Sequence, residues 1–417
     1  MGRKNISFRN LKIHNLTATS IGQRHSPITP GSWIVHSGMM RSEVPTLLQS
    51  CLSGEVNILF GNFINKATES NLIRQLEILH LGEFGLMGFL TSGSTGKQKL
   101  VVHKIEKLIE SAQSLLESYP EVEGRTTYSA FPSCYMAGIL NNFLVPLVGN
   151  CPIVLDNSFD FSTPFRISRV LREYNVGWAW MSPGMLKTLI SSKKNYLEGH
   201  TLKLILSATG PLGDIFRSDL ASLLQVPILN TYGLTEVLFV SGEKEMKPQV
   251  TLGKPFAGVR MSLSKTNQIQ IESNTLPSCI YLLEASGSLQ AITENTREFF
   301  LTSDIAIKQG DELRLLGRVD DIVVLRGVNV SLSEIESTAQ SCDGVVATCA
   351  RQIETKAGVG IELLVELDEK GIVNLGDIRR QLLTHLTLDR MPNTITIAKL
   401  PRLDSGKIDR NKIRGCG

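Results

Sequence analysis

The sequence predicts an α/β protein with two domains: a large N-terminal domain of stacked sheets with covering helices, and a small α+β C-terminal domain. The chain has 417 residues, whereas a single hydrophobic core rarely grows beyond about 250–300 residues. Short apolar runs bounded by turn residues, such as 176–181 and 202–208, alternate with helical patterns. This alternation is typical of buried strands beneath helices. From about residue 317, a separate series of strand and helix signals continues to the end.

The individual elements follow from the same patterns. Residues 84–90 predict a strand that leads into a Ser/Thr/Gly loop, and residues 104–119 predict a helix. Three strand-like runs lie close together after residue 250 and indicate a smaller antiparallel or barrel-like subdomain: 268–272, 279–284 and 299–307. The last 100 or so residues form a plausible compact unit, with strands at 322–325, 345–349, 361–366 and 394–398 and helices at 331–340 and 375–386.

The composition excludes several classes of protein. The formal net charge is +3, which is too small to indicate a nucleic-acid or membrane partner. No apolar run reaches the length of a membrane span, and the basic N-terminus lacks the apolar core of a secretory signal. The chain has 7 cysteines without a CxxC pair, which disfavours a disulfide framework or a zinc cluster. We therefore expect a cytoplasmic protein.

The segment from residue 91 to 99, TSGSTGKQK, has the composition of a phosphate-binding loop. Glycines allow backbone N–H groups to approach an anion, hydroxyls add donors and lysines add positive charge. The residues concerned are Thr91, Ser92, Gly93, Ser94, Thr95, Gly96, Lys97 and Lys99. The segment lies between the predicted strand and the predicted helix. It is not a Walker A loop, because Ser94 stands where that motif requires Lys. A flexible Ser/Gly turn is the alternative interpretation of this segment alone.

Four further segments make the phosphate-loop interpretation more specific. In chain order they are NTYGLTE (230–236), TSD (302–304), GRVD with RGVN (317–320 and 326–329) and PRLDSGK (401–407). Together with the loop they resemble the core motifs of the acyl-adenylate-forming superfamily. That superfamily includes acyl- and aryl-CoA synthetases, adenylation domains of peptide synthetases and luciferases. The resemblance extends from about residue 86 to the end of the chain.

The resemblance implies an ATP site whose residues counter the charge of the phosphates. Glu236 would bind Mg²⁺, Thr235 would bond the α-phosphate, and Tyr232 with Gly233 would lie against adenine. Lys407 would bind the carboxylate and the α-phosphate, where it would stabilise the charge of the forming bond. Each residue also has an ordinary alternative as a turn, core or solvated side chain.

The remaining implied roles concern the nucleoside, the acid and the domain movement. Asp304 would accept bonds from the ribose hydroxyls, and Arg318 would contact ribose or phosphate. Thr209 and Gly210 lie in a turn similar to one beside adenine and the acyl group, and Tyr135 lies in a segment similar to an acyl-site motif. A hinge at Asp320 would let a mobile C-terminal domain (residues 319–417) rotate against residues 1–318.

The sequence departs from the superfamily pattern at several positions. Gln98 and Leu100 stand where Pro and Gly are usual, and Ser303 stands where Gly is usual. The region before the loop is short, which indicates a truncated first subdomain and leaves the shape of the acyl pocket open. The acidic signature of amino-acid-activating domains is missing from the acyl-site segment. Among compact members, the chain resembles o-succinylbenzoate–CoA ligases and phenylacetate–CoA ligases, and its 232–236 and C-terminal motifs are more similar to the former.

The function implied is the activation of a small-molecule carboxylic acid with ATP and Mg²⁺, followed by transfer of the acyl group to coenzyme A. The alternatives are transfer to the phosphopantetheine of an acyl carrier protein, transfer to an amine or oxygen acceptor, and a non-catalytic nucleotide-binding relative. The identity of the acid and the choice between monomer and homodimer remain open.

Overall fold

The structure is a computed structural model of the chain, in which only part of the residues is described. The described residues are 13–15, 31–36, 43–61, 66–91, 98–156, 159, 163–190, 199–210, 212–284, 286–293, 299–325, 328–340, 342, 344–355, 358–367, 374–402 and 408–414.

The elements are numbered in chain order. The strands are β1 (Ile13–Asn15), β2 (Ser32–His36), β3 (Val56–Phe60), β4 (Leu86–Thr91), β5 (Lys99–Lys104), β6 (Thr127–Ser129), β7 (Ile153–Leu155), β8 (Trp178–Met181), β9 (Leu204–Ser207), β10 (Ile228–Leu234), β11 (Leu238–Gly242), β12 (Lys254–Pro255), β13 (Val259–Leu263), β14 (Gln268–Ser273), β15 (Cys279–Leu283), β16 (Leu289–Thr293), β17 (Phe300–Gln309), β18 (Glu312–Arg318), β19 (Ile322–Leu325), β20 (Val328–Ser331), β21 (Val345–Thr355), β22 (Gly358–Leu367) and β23 (Thr394–Ile397). The helices are α1 (Val44–Leu52), α2 (Lys66–Leu79), α3 (Ile105–Ser118), α4 (Met136–Ile139), α5 (Val145–Val148), α6 (Thr163–Glu173), α7 (Pro183–Ile190), α8 (Asp214–Leu224), α9 (Leu332–Gln340), α10 (Leu375–His385) and α11 (Arg410–Arg414).

The largest sheet has eight strands in the order β1-β7-β6-β8-β9-β10-β11-β12. The pairs from β1 to β10 are parallel, and β11 and β12 are added antiparallel. Strand β8 is buried along its whole length, as expected for a parallel strand that is covered on both faces. The carboxyl ends of the parallel strands therefore share one edge, where ligands bind in open α/β sheets.

A second sheet has six strands in the order β16-β15-β5-β4-β3-β2. Helix α3 packs between the two sheets, because its buried residues Leu108, Ala112 and Leu115 share one hydrophobic cluster with strands of both. Its apolar positions recur with helical spacing, which allows one face to be buried in this way.

A third sheet is antiparallel throughout. Strands β13, β14, β17 and β18 form a four-stranded antiparallel sheet, as the sequence predicts. The expectation that residues 279–284 belong with it is wrong. Strand β15 instead pairs with β5 in the six-stranded sheet, with Tyr281 opposite Leu100.

The expected connection after the phosphate loop also needs correction. Helix α3 does not follow the loop directly, because β5 lies between them and pairs antiparallel with β4. The loop thus joins two strands of a hairpin. The N-terminus of α3 is therefore separated from the loop by β5 and does not directly follow it.

The C-terminal part has its own core. Strands β19–β20 form a hairpin, and β21, β22 and β23 form a three-stranded sheet. A hydrophobic cluster here draws only on residues from Val323 to Met391, including Ile335 of α9 and Ile378 of α10. The α/β fold is confirmed, whereas the boundary at residues 318/319 and the truncated first subdomain stay predictions. Within the described ranges, no helix is long and apolar enough to cross a membrane.

Candidate active site

The two ends of the phosphate loop face each other across the β4–β5 hairpin. Thr91 ends β4, Lys99 begins β5, and the two residues are directly paired. The middle of the loop lies outside the described residues: Ser92, Gly93, Ser94, Thr95 and Gly96. Lys407 and the side chain of Asp320 also lie outside them. The roles predicted for these seven residues stay predictions.

The hairpin of β10 and β11 presents the next motif. The strand register shifts between Tyr232 and Gly233, and a Cβ on Gly233 would lie 2.4 Å from the carbonyl oxygen of Leu238. Leu238 itself has a φ of 62°, an uncommon conformation for a residue with a side chain. Gly233 is therefore needed to fold the hairpin, whatever contact it makes with a nucleotide.

Asp304 is the centre of a buried hydrogen-bonded group. The Tyr232 hydroxyl donates to Asp304 Oδ2 at 2.6 Å, and Arg318 Nη1 donates to Asp304 Oδ1 at 3.2 Å. Arg318 is brought there because it is the register partner of Asp304 across β17 and β18. Burial raises the pKa of Asp304, although the Tyr232 and Arg318 contacts act in the opposite direction. Burial and the neighbouring carboxylate raise the pKa of Tyr232, so its hydroxyl remains a donor.

A second group surrounds the turn at residues 235–237, between β10 and β11. Lys99 Nζ lies 4.0 Å from Glu236 Oε1, and His103 Nε2 lies 2.8 Å from the main-chain oxygen of Thr235. The structure thus brings the start of β5 against Thr235 and Glu236, which the motifs predict. His103 was missed, and the signal that could have identified it is a histidine at the end of an aliphatic run.

Thr209 and Gly210 follow β9 at the carboxyl edge of the large sheet. Strand β9 pairs in parallel with β10, and the Thr231 hydroxyl donates to the main-chain oxygen of Ser207 at 3.0 Å. Both Thr209 and Gly210 are exposed. Thr209 has a φ of 71°, which is strained for a β-branched residue and is a feature that clusters at functional sites.

Tyr135 lies at the same edge of the sheet, beyond the end of β6. Its segment is held by a buried network, in which Asn142 Nδ2 donates to the main-chain oxygen of Phe131 at 2.8 Å. A Cβ on Gly138 would lie 1.9 Å from the Pro132 carbonyl oxygen, so this close turn requires glycine. Asn142 lies in a π-helical turn, Leu140–Leu144, a geometry that is frequent at functional sites. Sequence patterns did not reveal it.

A buried ion pair supports the start of β10. Arg217 Nη1 lies 2.6 Å from Glu243 Oε2, and the main-chain N–H of Asn230 donates to the same oxygen at 2.8 Å. Both charged side chains are 1% exposed. Because removal of one partner would leave an uncompensated buried charge, this pair holds the beginning of the Tyr232 motif in place.

Metal binding by protein groups alone is not indicated. In the described parts of the chain, no group of three or more His, Cys, Asp or Glu side chains could hold a metal ion. Glu236 is thus a single carboxylate that faces the start of β5. A metal ion here would need further oxygen ligands from a phosphate substrate.

The chain is similar in sequence to an established enzyme family. Residues 87–271 match the AMP-binding enzyme family. Delta-poly-L-ornithine synthetase of Acinetobacter baumannii (strain AB307-0294) is 27% identical over 350 residues, which cover 78% of this chain and 25% of that protein. The chain spans a quarter or less of the length of the first three curated relatives that it matches.

Solved structures share the fold over almost the whole chain. Anthranilate CoA ligase AuaEII, in complex with anthranoyl-AMP, is 16% identical with a TM-score of 0.77, covering 93% of this chain and 87% of that one. o-Succinylbenzoate CoA synthetase from Bacillus subtilis, in complex with the acyl-adenylate intermediate OSB-AMP, is 17% identical with a TM-score of 0.74, covering 92% and 88%. The sequence match of residues 87–271 and the shared fold confirm the predicted resemblance of the chain to the acyl-adenylate-forming superfamily.

Proposed function

We propose that this chain uses ATP to convert a carboxylic acid into an acyl-adenylate and then transfers the acyl group to the thiol of coenzyme A. One observation carries this proposal. The Asp304 group and the Thr235–Glu236 turn lie at the two ends of the short hairpin motif that begins at Tyr232, and Lys99 of the phosphate-loop hairpin faces that turn. A nucleoside triphosphate needs a contact for its ribose and a contact for its charged phosphates close together.

The Asp304 group suits a ribose. An ionised carboxylate has about four acceptor positions, and the contacts with Tyr232 and Arg318 occupy two of them. The remaining positions can accept bonds from ribose hydroxyls. Because the Tyr232 hydroxyl is held by Asp304, the ring is fixed in one orientation, and its edge or face can border adenine. Gly233 and Gly210 would leave room for the base and its neighbours.

Glu236 suits a magnesium ion that also binds phosphate. Mg²⁺ commonly uses one or two carboxylates together with substrate phosphates and water. Glu236 offers one such carboxylate, and Lys99 Nζ lies 4.0 Å from it, beyond a direct hydrogen bond. When bound there, the ion would neutralise phosphate charge. Thr91, Lys99 and the hydroxyls and amides of residues 92–96 would hold the β- and γ-phosphates, and the Thr235 hydroxyl would bond the α-phosphate.

The proposed chemistry has two steps. A carboxylate oxygen of the acid attacks the α-phosphorus, an acyl–O–P bond forms, and the bond to the β-phosphate breaks as pyrophosphate leaves. Lys407 would stabilise charge on the carboxylate and the α-phosphate as they join. The CoA sulfur then attacks the acyl carbon, the thiol proton is lost, and AMP leaves. Rotation at Asp320 would exchange the two arrangements, and Tyr135 and Thr209 would border the acid.

The choice of coenzyme A rests on the solved structures with the same fold. Anthranilate CoA ligase and o-succinylbenzoate CoA synthetase carry that activity in their names, and this chain covers 87% and 88% of their lengths. Acyl loading of a carrier-protein phosphopantetheine uses the same thiol chemistry and is the alternative outcome of the test.

The test is ATP–pyrophosphate exchange with a panel of aryl, short-chain and dicarboxylic acids, followed by CoA consumption. We expect exchange with at least one acid and a matching acyl-CoA product. Exchange without CoA consumption would indicate a carrier protein or another acceptor. A protein that binds ATP but exchanges with no acid would contradict the enzyme proposal.

Lys407→Ala separates the two steps. It should abolish exchange but leave acyl transfer from preformed acyl-AMP to CoA largely intact. Lys412→Ala is the matched control, because Lys412 lies five residues later and its side chain is 72% exposed. Equal loss of both steps in Lys407→Ala would contradict the role given to this lysine.

A further inference from the structure

His103 is a buried imidazole that joins two parts of the candidate site. It lies in β5 and is completely buried, and its Nε2 lies 2.8 Å from the main-chain oxygen of Thr235. A carbonyl oxygen can only accept, so Nε2 must carry the hydrogen and donate it. Burial lowers the pKa of His103 to about 4, partly offset by this hydrogen bond, so the ring is neutral near pH 7.

Packing alone does not account for a histidine at this position. Its neighbours Val101, Val102 and Ile105 are fully buried aliphatic residues. With Nε2 as the donor, Nδ1 is a buried acceptor, and it has no hydrogen-bond partner among the described residues. An unpaired buried acceptor lowers stability, whereas a leucine or valine would fill the strand position without one. The feature that histidine supplies here, and that leucine or valine would not, is the hydrogen bond from Nε2 to the Thr235 main-chain oxygen.

The direction of the side chain connects it with Lys99. Side chains two and four residues apart in a strand lie on the same face, so Lys99 and His103 share one face of β5. Lys99 lies near the Glu236 carboxylate, and His103 bonds the main chain of Thr235. The turn at residues 235–237 thus contacts β5 through one hydrogen bond, from His103, and one longer ion-pair contact, from Lys99. Through the β4–β5 pairing, this connection continues to Thr91 and the start of the phosphate loop.

We infer that His103 is a positioning residue, which sets the distance between the Thr235–Glu236 turn and Lys99 at the start of β5 by donating from Nε2 to the Thr235 carbonyl. The inference rests on the proposed function only for its catalytic consequence. The hydrogen bond itself can be tested without any substrate.

Two substitutions separate the hydrogen bond from the space that the ring fills. His103→Leu keeps an apolar side chain of similar size and removes the donor. His103→Gln keeps an N–H donor at about the reach of Nε2. His80 provides the matched control, because it is also a buried histidine (6% exposed) with contacts at both nitrogens, to Glu83 and Tyr281.

The first measurement is hydrogen–deuterium exchange of the peptide covering residues 234–240 in the protein without ligands. His103→Leu should increase exchange at least about tenfold there, since the opening of this turn loses a restraint, and His103→Gln should restore most of the protection. His80→Leu should lower the unfolding temperature and leave this peptide unchanged. Unchanged exchange in His103→Leu would overturn the inference, whether or not the protein proves to be a ligase.

The second measurement is pyrophosphate exchange with the acid found for the wild type. A misplacement of about 1 Å can cost on the order of 100-fold in rate, so His103→Leu should lower kcat by about 10- to 100-fold. His103→Gln should stay within about fivefold of the wild type. Equal activity of the Leu and Gln variants would overturn the positioning role. Absence of exchange in the wild type would instead contradict the proposed function, and hydrogen–deuterium exchange would then decide the role of His103 by itself.

Discussion

At the residue scale, Asp304 is the side chain to which we assign the ribose contact in the proposed function. It is 5% exposed, and its two oxygens already hold Tyr232 and Arg318 in place. The group is assembled from residues 72 positions apart in the chain. A substitution that keeps the shape of Asp304 but removes its charge can therefore separate ribose binding from folding.

Asp304→Asn should weaken ATP binding by about 10- to 100-fold, because hydrogen bonds to charged groups contribute about 1.5–3 kcal/mol. The amide can still accept the Tyr232 hydroxyl, so the unfolding temperature should change little. Calorimetric titration with ATP and thermal unfolding are the two measurements. Asp311→Asn, at the exposed tip of the β17–β18 hairpin, is the control. Wild-type ATP affinity in Asp304→Asn would contradict the ribose-binding role.

The same residues show what a sequence can predict at this scale. Tyr232, Asp304 and Arg318 were identified because each belongs to a short motif, and the structure brings the three together. In the sequence His103 stands out only as a histidine at the end of an aliphatic run, and its partner Thr235 lies 132 positions later. No local pattern reports a hydrogen bond over such a separation. The roles of residues 92–96 and Lys407 remain predictions.

At the scale of elements, the β10–β11 hairpin depends on Gly233. A Cβ there would lie 2.4 Å from the Leu238 carbonyl oxygen, closer than any normal contact, and backbone atoms cannot easily move away. Gly233→Ala should lower the free energy of unfolding by about 1–3 kcal/mol, as other overpacking changes do. Denaturant unfolding measures this effect.

Gly184→Ala is the matched control for Gly233→Ala. Gly184 lies in α7, and a Cβ there would find its nearest neighbour at 3.8 Å, so alanine should be neutral or slightly stabilising in the helix. If Gly233→Ala were as stable as Gly184→Ala, the hairpin would not need the glycine. Gly233 would then be explained by contact with the ligand alone.

Helix α3, with its long periodicity, is predicted from the sequence, whereas the short strand β5 is not. Helix α3 was predicted to within one residue at each end, because its apolar positions recur over 14 residues. No strand was predicted at β5, between the loop and the helix, since its apolar core is brief and lysines stand at both ends. The loop was consequently expected to precede a helix, and the hairpin geometry had to come from the structure.

At the scale of the whole molecule, the α/β class and a separate C-terminal core follow from length and pattern, but strand pairing does not. Strand β15 pairs with β5, about 180 residues earlier, on one side and with β16 on the other, rather than with β14 or β17 of the four-stranded sheet. A pairing over such a separation leaves no signal in a local sequence pattern. Tertiary context of this kind overrides local strand signals.

A contact between the two parts of the chain leads to the final prediction. Lys187 Nζ, on α7 of the large N-terminal part, donates to the main-chain oxygen of Gln340 at 3.1 Å, at the end of α9. Burial lowers the pKa of Lys187 from 10.5 to about 7, while the nearby Cys342 acts in the opposite direction. The last carbonyls of a helix lack intrahelical partners, so this amine satisfies one of them.

The lowered pKa of Lys187 should make stability depend on pH. Between about pH 7 and 10.5 the unfolded chain binds more protons at Lys187 than the folded protein does, so the free energy of unfolding rises with pH. One group can contribute at most about 1.4 kcal/mol per pH unit in this window. Lys187→Met should remove that contribution. The variant should therefore have a higher free energy of unfolding than the wild type near pH 7, and most of this difference should disappear by pH 9.5. Thermal unfolding at both pH values measures the difference, with Lys203→Met, at an exposed lysine, as the control. A difference that is the same at both pH values would show that Lys187 keeps an ordinary, solvated amine, and the contact with α9 would then not hold the two parts together.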